Sequence, residues 1–230
     1  MKLTELAPPP RAKSDSQAEA VLPSARETGA AFQKRQPPTY SVNLLVNGGA
    51  EDGPASVMAA SVPVPGWRTS GGFTVVPYGA PEGYPTVSEA PPNGMKRFFS
   101  GGRDAISTAV QEIEVSGNAS DIDARKVMCD VSAWLGGYFD QDDQARLTVE
   151  FRNNAARSLK TVSLGPVTAL ERAEQTGLKF RNSSVSVPAQ TRRIYVELVL
   201  TRKPGAGSCN DGYADNLSLI LRRAAGSYKP

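Results

Sequence analysis

The 230-residue chain contains no histidine and only two cysteines. Without an imidazole it cannot form a Ser-His-Asp or Cys-His catalytic arrangement or the usual catalytic zinc site. Cys129 and Cys209 lie far apart and belong to no Cys-x-x-Cys motif, which also argues against structural zinc. The two thiols could form one disulfide or stay buried and free. Carboxylate chemistry remains, but the acidic residues mostly fall in turns or at outward strand positions, so we predict that the chain is not an enzyme.

Long apolar runs and blocks of like charge are also missing. No stretch approaches the roughly 18 apolar residues that cross a bilayer, which predicts no membrane insertion. The net charge is only +3, without a basic cluster, which predicts no nucleic-acid partner. The first 21 residues lack the short apolar core of a secretory signal. From this we expect a protein made in the cytoplasm without a signal peptide.

What the chain does have is many turn residues and short apolar runs. It contains 21 glycines and 18 prolines, and 40% of its residues are hydrophobic, a balance typical of many short strands. Apolar and polar residues alternate from Ala145 to Arg152 and from Arg193 to Leu200, which predicts half-buried strands. About nine or ten such runs, beginning with Val42 to Val46, predict an all-β fold, an antiparallel β-sandwich of jelly-roll type.

Residues 1–40 differ in composition from the rest. They contain six prolines, six basic and four acidic residues, and few large apolar side chains. Such a segment cannot bury enough surface to fold alone, which predicts an extended arm or linker. We therefore divide the chain into an arm (1–40), a jelly-roll β-sandwich (41–223) and a C-terminal tail (224–230).

Sequence motifs near both ends of the sandwich carry a family resemblance. Val42-Asn43-Leu44-Leu45-Val46-Asn47-Gly48-Gly49-Ala50-Glu51, Pro65-Gly66-Trp67 and Asn210-Asp211-Gly212-Tyr213-Ala214-Asp215 occur in the order found in galactose-binding-like jelly rolls. The chain resembles this family, whose best-known members are bacterial carbohydrate-binding modules. The resemblance implies a structural calcium ion held by Glu51 and Asp215, because first and last strands lie side by side in that family. Alternatively, Glu51 and Asp52 are solvated turn residues and Asp215 hydrogen-bonds to a nearby turn.

A sugar-binding surface needs exposed aromatic faces and a few planar polar groups. Residues of this kind that lie in or beside turns are Tyr78, Tyr84, Tyr138, Arg103, Asp140 and Gln141. The alternative is that the rings cover sheet edges or fill the core. Trp67 and Trp134 are both expected to pack inside the protein.

Two functions are compatible with these features, and we expect the first, because a secreted module should carry an export signal; the second is the alternative. In the first, residues 1–40 attach the jelly roll to the protein surface of a larger assembly, as in a phage head or tail decoration protein on a virion or particle surface. In the second, the chain is a calcium-stabilised carbohydrate-binding module that recognises cell-surface or polysaccharide glycans, as an extracellular protein would. Association into a homo-oligomer through sheet edges is a further expectation.

Overall fold

The computed structural model describes residues 37–92 and 96–224. Ten strands form two five-stranded antiparallel sheets, ordered β1-β4-β9-β6-β7 and β2-β3-β10-β5-β8. The strands are β1 (Arg68–Ser70), β2 (Thr74–Pro77), β3 (Arg97–Gly102), β4 (Ile106–Glu114), β5 (Val127–Gly137), β6 (Gln144–Arg152), β7 (Ser158–Leu164), β8 (Gly177–Ser186), β9 (Arg193–Thr201) and β10 (Asn210–Arg223). The helical parts are one short helix, α1 (Ala119–Asp123), and three single turns of 3-10 helix.

The strand order is that of a jelly roll. Early strands pair with late ones in nested fashion, β3 with β10, β4 with β9, β5 with β8 and β6 with β7. The first and third of these pairs lie in one sheet, and the second and fourth lie in the other. Strands β1 and β2 each add an edge strand, one to each sheet. This confirms the predicted all-β jelly-roll β-sandwich.

The core lies between the sheets and follows the alternation of the sequence. The inward set of β6, from Ala145 to Phe151, is at most 1% exposed, and the inward set of β9, from Ile194 to Leu200, is fully buried. Trp67 packs edge-on against Phe99, with ring centroids 5.8 Å apart, so its predicted burial is confirmed. Burial of such side chains stabilises a fold by about 1.5 to 3 kcal/mol each.

The segment from Val42 to Val46 is not a regular strand, contrary to prediction. It runs beside β10, where Ser41 and Leu44 donate backbone hydrogen bonds to Leu221 and Leu219, but only Asn43 forms a β-bridge. The side-chain oxygen of Asn43 accepts from the amides of Leu45 and Leu219, so a side chain replaces part of the backbone ladder.

The short strand β1 and helix α1 were not predicted. Three residues are too few to show period-two alternation, and five residues complete little more than one helical turn. In the described part of the chain, the helices are all too short to span a bilayer.

The sandwich begins slightly before residue 41. The hydroxyl of Tyr40 donates to Asp121 at 2.7 Å, and the amide of Thr39 donates to the side chain of Asn118 at 3.3 Å. Residues 1–36 and 225–230 lie outside the described residues, so the arm and its attachment to an assembly stay predictions. Cys129 is buried and Cys209 is partly exposed, and both are free thiols.

Candidate functional site

A cavity of about 200 Å³ opens at one end of the sandwich, where three loops meet. The β2–β3 loop contributes Glu82 and Tyr84, and the β5–β6 loop contributes Tyr138 and Gln141. The β9–β10 connection contributes residues 206–209, and Asp211 lies at the start of β10. The cavity thus unites segments that are more than 100 residues apart in the chain.

The aromatic wall of the cavity belongs to a second, smaller core on the outer face of the β10 sheet. Tyr84 packs against Phe98 and Tyr213, each at a centroid distance of 6.0 Å. Gly83 has a φ of +87°, and a Cβ there would lie 2.5 Å from the ring of Tyr138. Glycine therefore allows both the turn and the close approach of that ring.

The polar side of the cavity is centred on Asp211. Its carboxylate accepts the hydroxyl of Tyr213 at 2.9 Å. With its amide oriented by the hydrogen-bond network, Gln141 donates to the carboxylate of Asp211 at 3.1 Å and to the carbonyl of Ala206 at 3.0 Å. Burial is the main reason that the pKa of Asp211 is raised to about 6; the hydrogen bond from Tyr213 opposes this rise, and the charge of Asp143 adds to it.

Two buried charged residues support this wall from behind. Asp143 is fully buried and accepts the amides of Lys203 and Asp211, each at 2.7 Å. Arg172 is only 3% exposed, and its guanidinium donates to the carbonyls of Phe139 at 2.9 Å and Gln141 at 2.8 Å. These contacts fix both the loop that bears Tyr138 and Gln141 and the strand that bears Asp211.

The structure brings together only some of the predicted glycan-binding residues. Tyr84, Tyr138 and Gln141 line the cavity, whereas Tyr78 does not, and its hydroxyl donates to Asp215 at 2.8 Å. Tyr78 and Tyr84 are both largely buried, at 7% and 8% exposure, as the alternative of rings that fill the core predicted. Burial raises the pKa of Tyr84 to about 12. Arg103 lies near enough for its positive charge to oppose this rise. Asp140 is exposed on the same loop as Gln141 but does not line the cavity.

Sequence reasoning missed Glu82 and Asp211 as cavity residues. Asp211 belongs to a motif that indicated the family resemblance, and its residue type alone did not mark it as part of a binding site.

The predicted calcium ligands Glu51 and Asp215 are near enough for the charge of Glu51 to raise the pKa of Asp215. Glu51 accepts the amides of Lys96 at 2.7 Å and Arg97 at 3.0 Å. Asp215 is fully buried and accepts the amide of Asn216 at 2.6 Å. Burial raises the pKa of Asp215 to about 7, hydrogen bonds from Tyr78 and Asn216 oppose this rise, and the charge of Glu51 adds to it.

Carboxylate oxygens, which Glu51 and Asp215 supply, are ligands that a hard cation such as calcium prefers. The buried carboxylate of Asp215, which the charge of the partly exposed Glu51 destabilises, would be stabilised by calcium, which takes six to eight oxygens. Within residues 37–92 and 96–224, no third carboxylate or thiolate joins Glu51 and Asp215 in a cluster. Carbonyl groups and water would have to complete the coordination shell of the calcium ion. The guanidinium of Arg97 donates to two carbonyls of this turn, those of Glu51 and Gly53.

The outer face of the other sheet carries a further aromatic residue. Tyr195 on β9 is partly exposed, but the guanidinium of Arg152 lies over its ring, 3.9 Å from the centroid. Arg152 is held there by Glu150 at 2.8 Å. The face of this ring is therefore already covered by a cation within the protein.

No family model matches the chain, and no curated protein matches it either. Solved structures do resemble it. The enzymatically active domain of tailspike protein 4 of bacteriophage CBA120 is 12% identical over 79% of this chain, with a TM-score of 0.46. This chain spans only 21% of the tailspike chain.

Two further similar structures are carbohydrate-binding modules. A family 16 carbohydrate-binding module is 20% identical over 77% of this chain and 99% of its own, with a TM-score of 0.44. The CBM22-1 xylan-binding domain from Paenibacillus barcinonensis is 14% identical over 74% of this chain and 94% of its own, with a TM-score of 0.41. These likenesses are distant, and the fold assignment rests on the strand order. The chain has the jelly-roll fold that its resemblance to galactose-binding-like domains implies.

Proposed function

We propose that this protein is a carbohydrate-binding module and that the cavity between Tyr84, Tyr138, Gln141 and Asp211 is its binding site. The observation that carries the proposal is the convergence of two tyrosine rings, a planar amide and a partly buried carboxylate on one cavity. Aromatic rings offer a platform for the C–H face of a sugar, and the amide and carboxylate can bond its hydroxyl groups.

The size and rigidity of the cavity support a short saccharide as ligand. Its volume of about 200 Å³ is below the roughly 300 to 1,000 Å³ of pockets for drug-sized ligands, which suits one or two sugar units. Arg172 and Asp143 hold the polar side in place before binding, so little conformational entropy is lost when the ligand arrives.

Cys209 provides a direct test, because its thiol lines the cavity. Cys129 is fully buried, and burial raises its pKa to about 12, so it will not react in the folded protein. We expect disaccharides from a panel of neutral sugars to slow alkylation of Cys209 by iodoacetamide at least fivefold, measured by intact-mass spectrometry. Equal alkylation rates with every sugar, despite binding detected by calorimetry, would place the site elsewhere.

Substitution of Gln141 by alanine is expected to weaken binding of the same disaccharides about tenfold, measured by calorimetry. It removes the hydrogen-bond donor that faces Asp211 and Ala206, and a tenfold loss corresponds to about 1.4 kcal/mol. Tyr195→Ala is the matched control, because this partly exposed residue lies on the outer face of the other sheet. If Tyr195→Ala abolished binding and Gln141→Ala did not, the other sheet would carry the function.

Calcium is the structural component of this proposal. The carboxylates of Glu51 and Asp215 would hold it, and it would neutralise the charge of the buried Asp215. We expect millimolar calcium to raise the melting temperature by several degrees, because a ligand at 100 times its Kd stabilises the folded state by about 2.7 kcal/mol.

Asp215→Asn should abolish that calcium-dependent rise, whereas Asp52→Asn, at an exposed position next to Glu51, should leave it intact. Differential scanning fluorimetry with calcium or EDTA measures both. Calorimetry that detected no calcium binding to the wild-type protein would refute the metal site but not the sugar site.

A further inference from the structure

A second aromatic surface lies away from the cavity, on the outer face of β5 and β8. Trp134 and Phe180 are cross-strand partners with ring centroids 5.7 Å apart and an interplanar angle of 54°. Phe180 is 48% exposed, and Trp134 is partly buried against the second core. The prediction that Trp134 packs inside is therefore wrong, because its strand neighbours Ala133 and Leu135 take the inward positions.

The indole nitrogen of Trp134 has no protein acceptor among residues 37–92 and 96–224, unlike that of Trp67, which donates to the carbonyl of Asn47 at 3.2 Å. A tryptophan that packs only for stability usually has its N–H satisfied. The indole N–H of Trp134 and the exposed ring of Phe180 therefore remain for an external group.

Small polar side chains continue this surface along the strands. Ser132 faces Asn182 on β8 and Ser218 on β10, and Asp130 faces Ser184. From Trp134 to Asp130 the strip is about 13 Å long, at about 3.3 Å per residue. It therefore offers two rings at one end, followed by hydroxyl and amide groups.

The charges around the strip are paired within the protein. Arg222 contacts Asp130 at 2.6 Å and the hydroxyl of Ser184 at 3.0 Å, and Arg181 contacts Glu171 at 2.6 Å. Because neither cation lacks a carboxylate, the surface does not select a charged ligand. A neutral ligand rich in hydroxyl groups matches it better.

The dimensions also favour a narrow ligand over a protein. A stable protein interface buries about 800 Å² on each partner around an apolar centre, whereas this surface has only two adjacent rings in a polar strip. A polysaccharide chain has the required shape, because each sugar unit presents a C–H face and hydroxyl edges.

We propose that the strip from Trp134 and Phe180 to Asp130 and Ser184 binds a neutral, extended polysaccharide as a second site. This inference rests on the proposed carbohydrate-binding function but uses none of the cavity residues. It also narrows the class of ligand, because a saccharide that occupies both the cavity and the strip must be a polymer rather than a free mono- or disaccharide.

The test compares cello-, xylo- and manno-oligosaccharides of two and six units by calorimetry. Phe180→Ala and the double variant Trp134→Ala/Phe180→Ala should weaken hexasaccharide binding about tenfold and leave disaccharide binding unchanged. Gln141→Ala should weaken both. Phe180 is exposed, so its single variant keeps the result interpretable if the double variant fails to fold.

Tryptophan fluorescence gives a second readout, since Trp67 and Trp134 are the only tryptophans. The hexasaccharide should change the emission of the wild-type protein, and Trp134→Phe should remove that change, because Trp67 lies in the core. Equal affinity of Phe180→Ala and wild type for the hexasaccharide would overturn this inference and leave the cavity proposal standing. Absence of binding to any oligosaccharide in the panel would overturn both. Dimerisation in ultracentrifugation that Phe180→Ala abolishes would show instead that the strip is a protein interface.

Discussion

Arg172→Met is expected to lower the free energy of unfolding by about 3 kcal/mol. Methionine fills a similar volume, but it leaves the carbonyls of Phe139, Gln141 and Gln175 without the donors of the buried guanidinium. It also removes a positive charge whose field lowers the pKa of the buried Asp143, against the larger effect of burial. Loss of one partner from a buried charged network commonly costs about 3 to 5 kcal/mol.

Urea denaturation measures this change, and Arg181→Met is the control. Arg181 is partly exposed and pairs with Glu171 at the surface, so its loss should cost less than about 1 kcal/mol. In the Arg172 variant, Cys209 should lose its protection by bound disaccharide, because the loop of Tyr138 and Gln141 is no longer fixed. A destabilisation no larger than that of Arg181→Met would show that the buried guanidinium contributes no more to the free energy of unfolding than a surface ion pair does.

In the absence of calcium, the stability of the protein should fall as the pH rises from about 4 to about 7. Burial raises the pKa of Asp215 to about 7 and that of Asp211 to about 6, whereas an unfolded Asp has a pKa of about 3.9. Between these values the folded state binds more protons than the unfolded state, so each rise in pH favours unfolding. For Asp215 alone the loss amounts to about 4 kcal/mol at most.

Other carboxylates act in the opposite direction at lower pH. Hydrogen bonds from Arg222 and Arg192 lower the pKa values of Asp130 and Asp123, so their contributions are lost only as the pH falls below about 4. We therefore expect maximal stability between about pH 4 and 5, measured by melting temperatures in EDTA.

Asp215→Asn should flatten most of the decline above pH 5, and Asp52→Asn should not alter it. Calcium should also flatten the decline, because the ion binds the ionised carboxylate and offsets its burial. A wild-type protein whose stability rose steadily from pH 5 to 8 in EDTA would contradict the assignment of Asp215 as a buried carboxylate without a counter-charge.

The sequence predicted the fold well because strand burial has period two. The alternation in β6 and β9 identified both the strands and their inward residues. The same logic failed for Trp134, because Ala133, Trp134 and Leu135 are all apolar and the pattern does not say which of them faces inward. The sheet register decides it, and register depends on partners far away in the chain.

The candidate site was only partly predictable for a related reason. Tyr138 and Gln141 could be selected by residue type, but no local pattern shows that they meet Tyr84 and Asp211. Tyr78 has the same residue type and a similar turn position, yet its hydroxyl is satisfied by Asp215 inside the protein. Which loops meet at the cavity, and which side chains therefore line it, is a property of the folded chain.

The nested strand order also determines when the domain can fold during synthesis. The last strand, β10, lies between β3 and β5 in the centre of its sheet, and its Leu217, Leu219 and Leu221 are at most 1% exposed. Until the ribosome has released this strand, β3 and β5 have no common partner, and the apolar side chains that face it stay open to water. Such long-range pairing is slow and leaves unpaired edges exposed to aggregation. A nascent chain that stops before residue 210 should therefore depend on chaperones for its solubility.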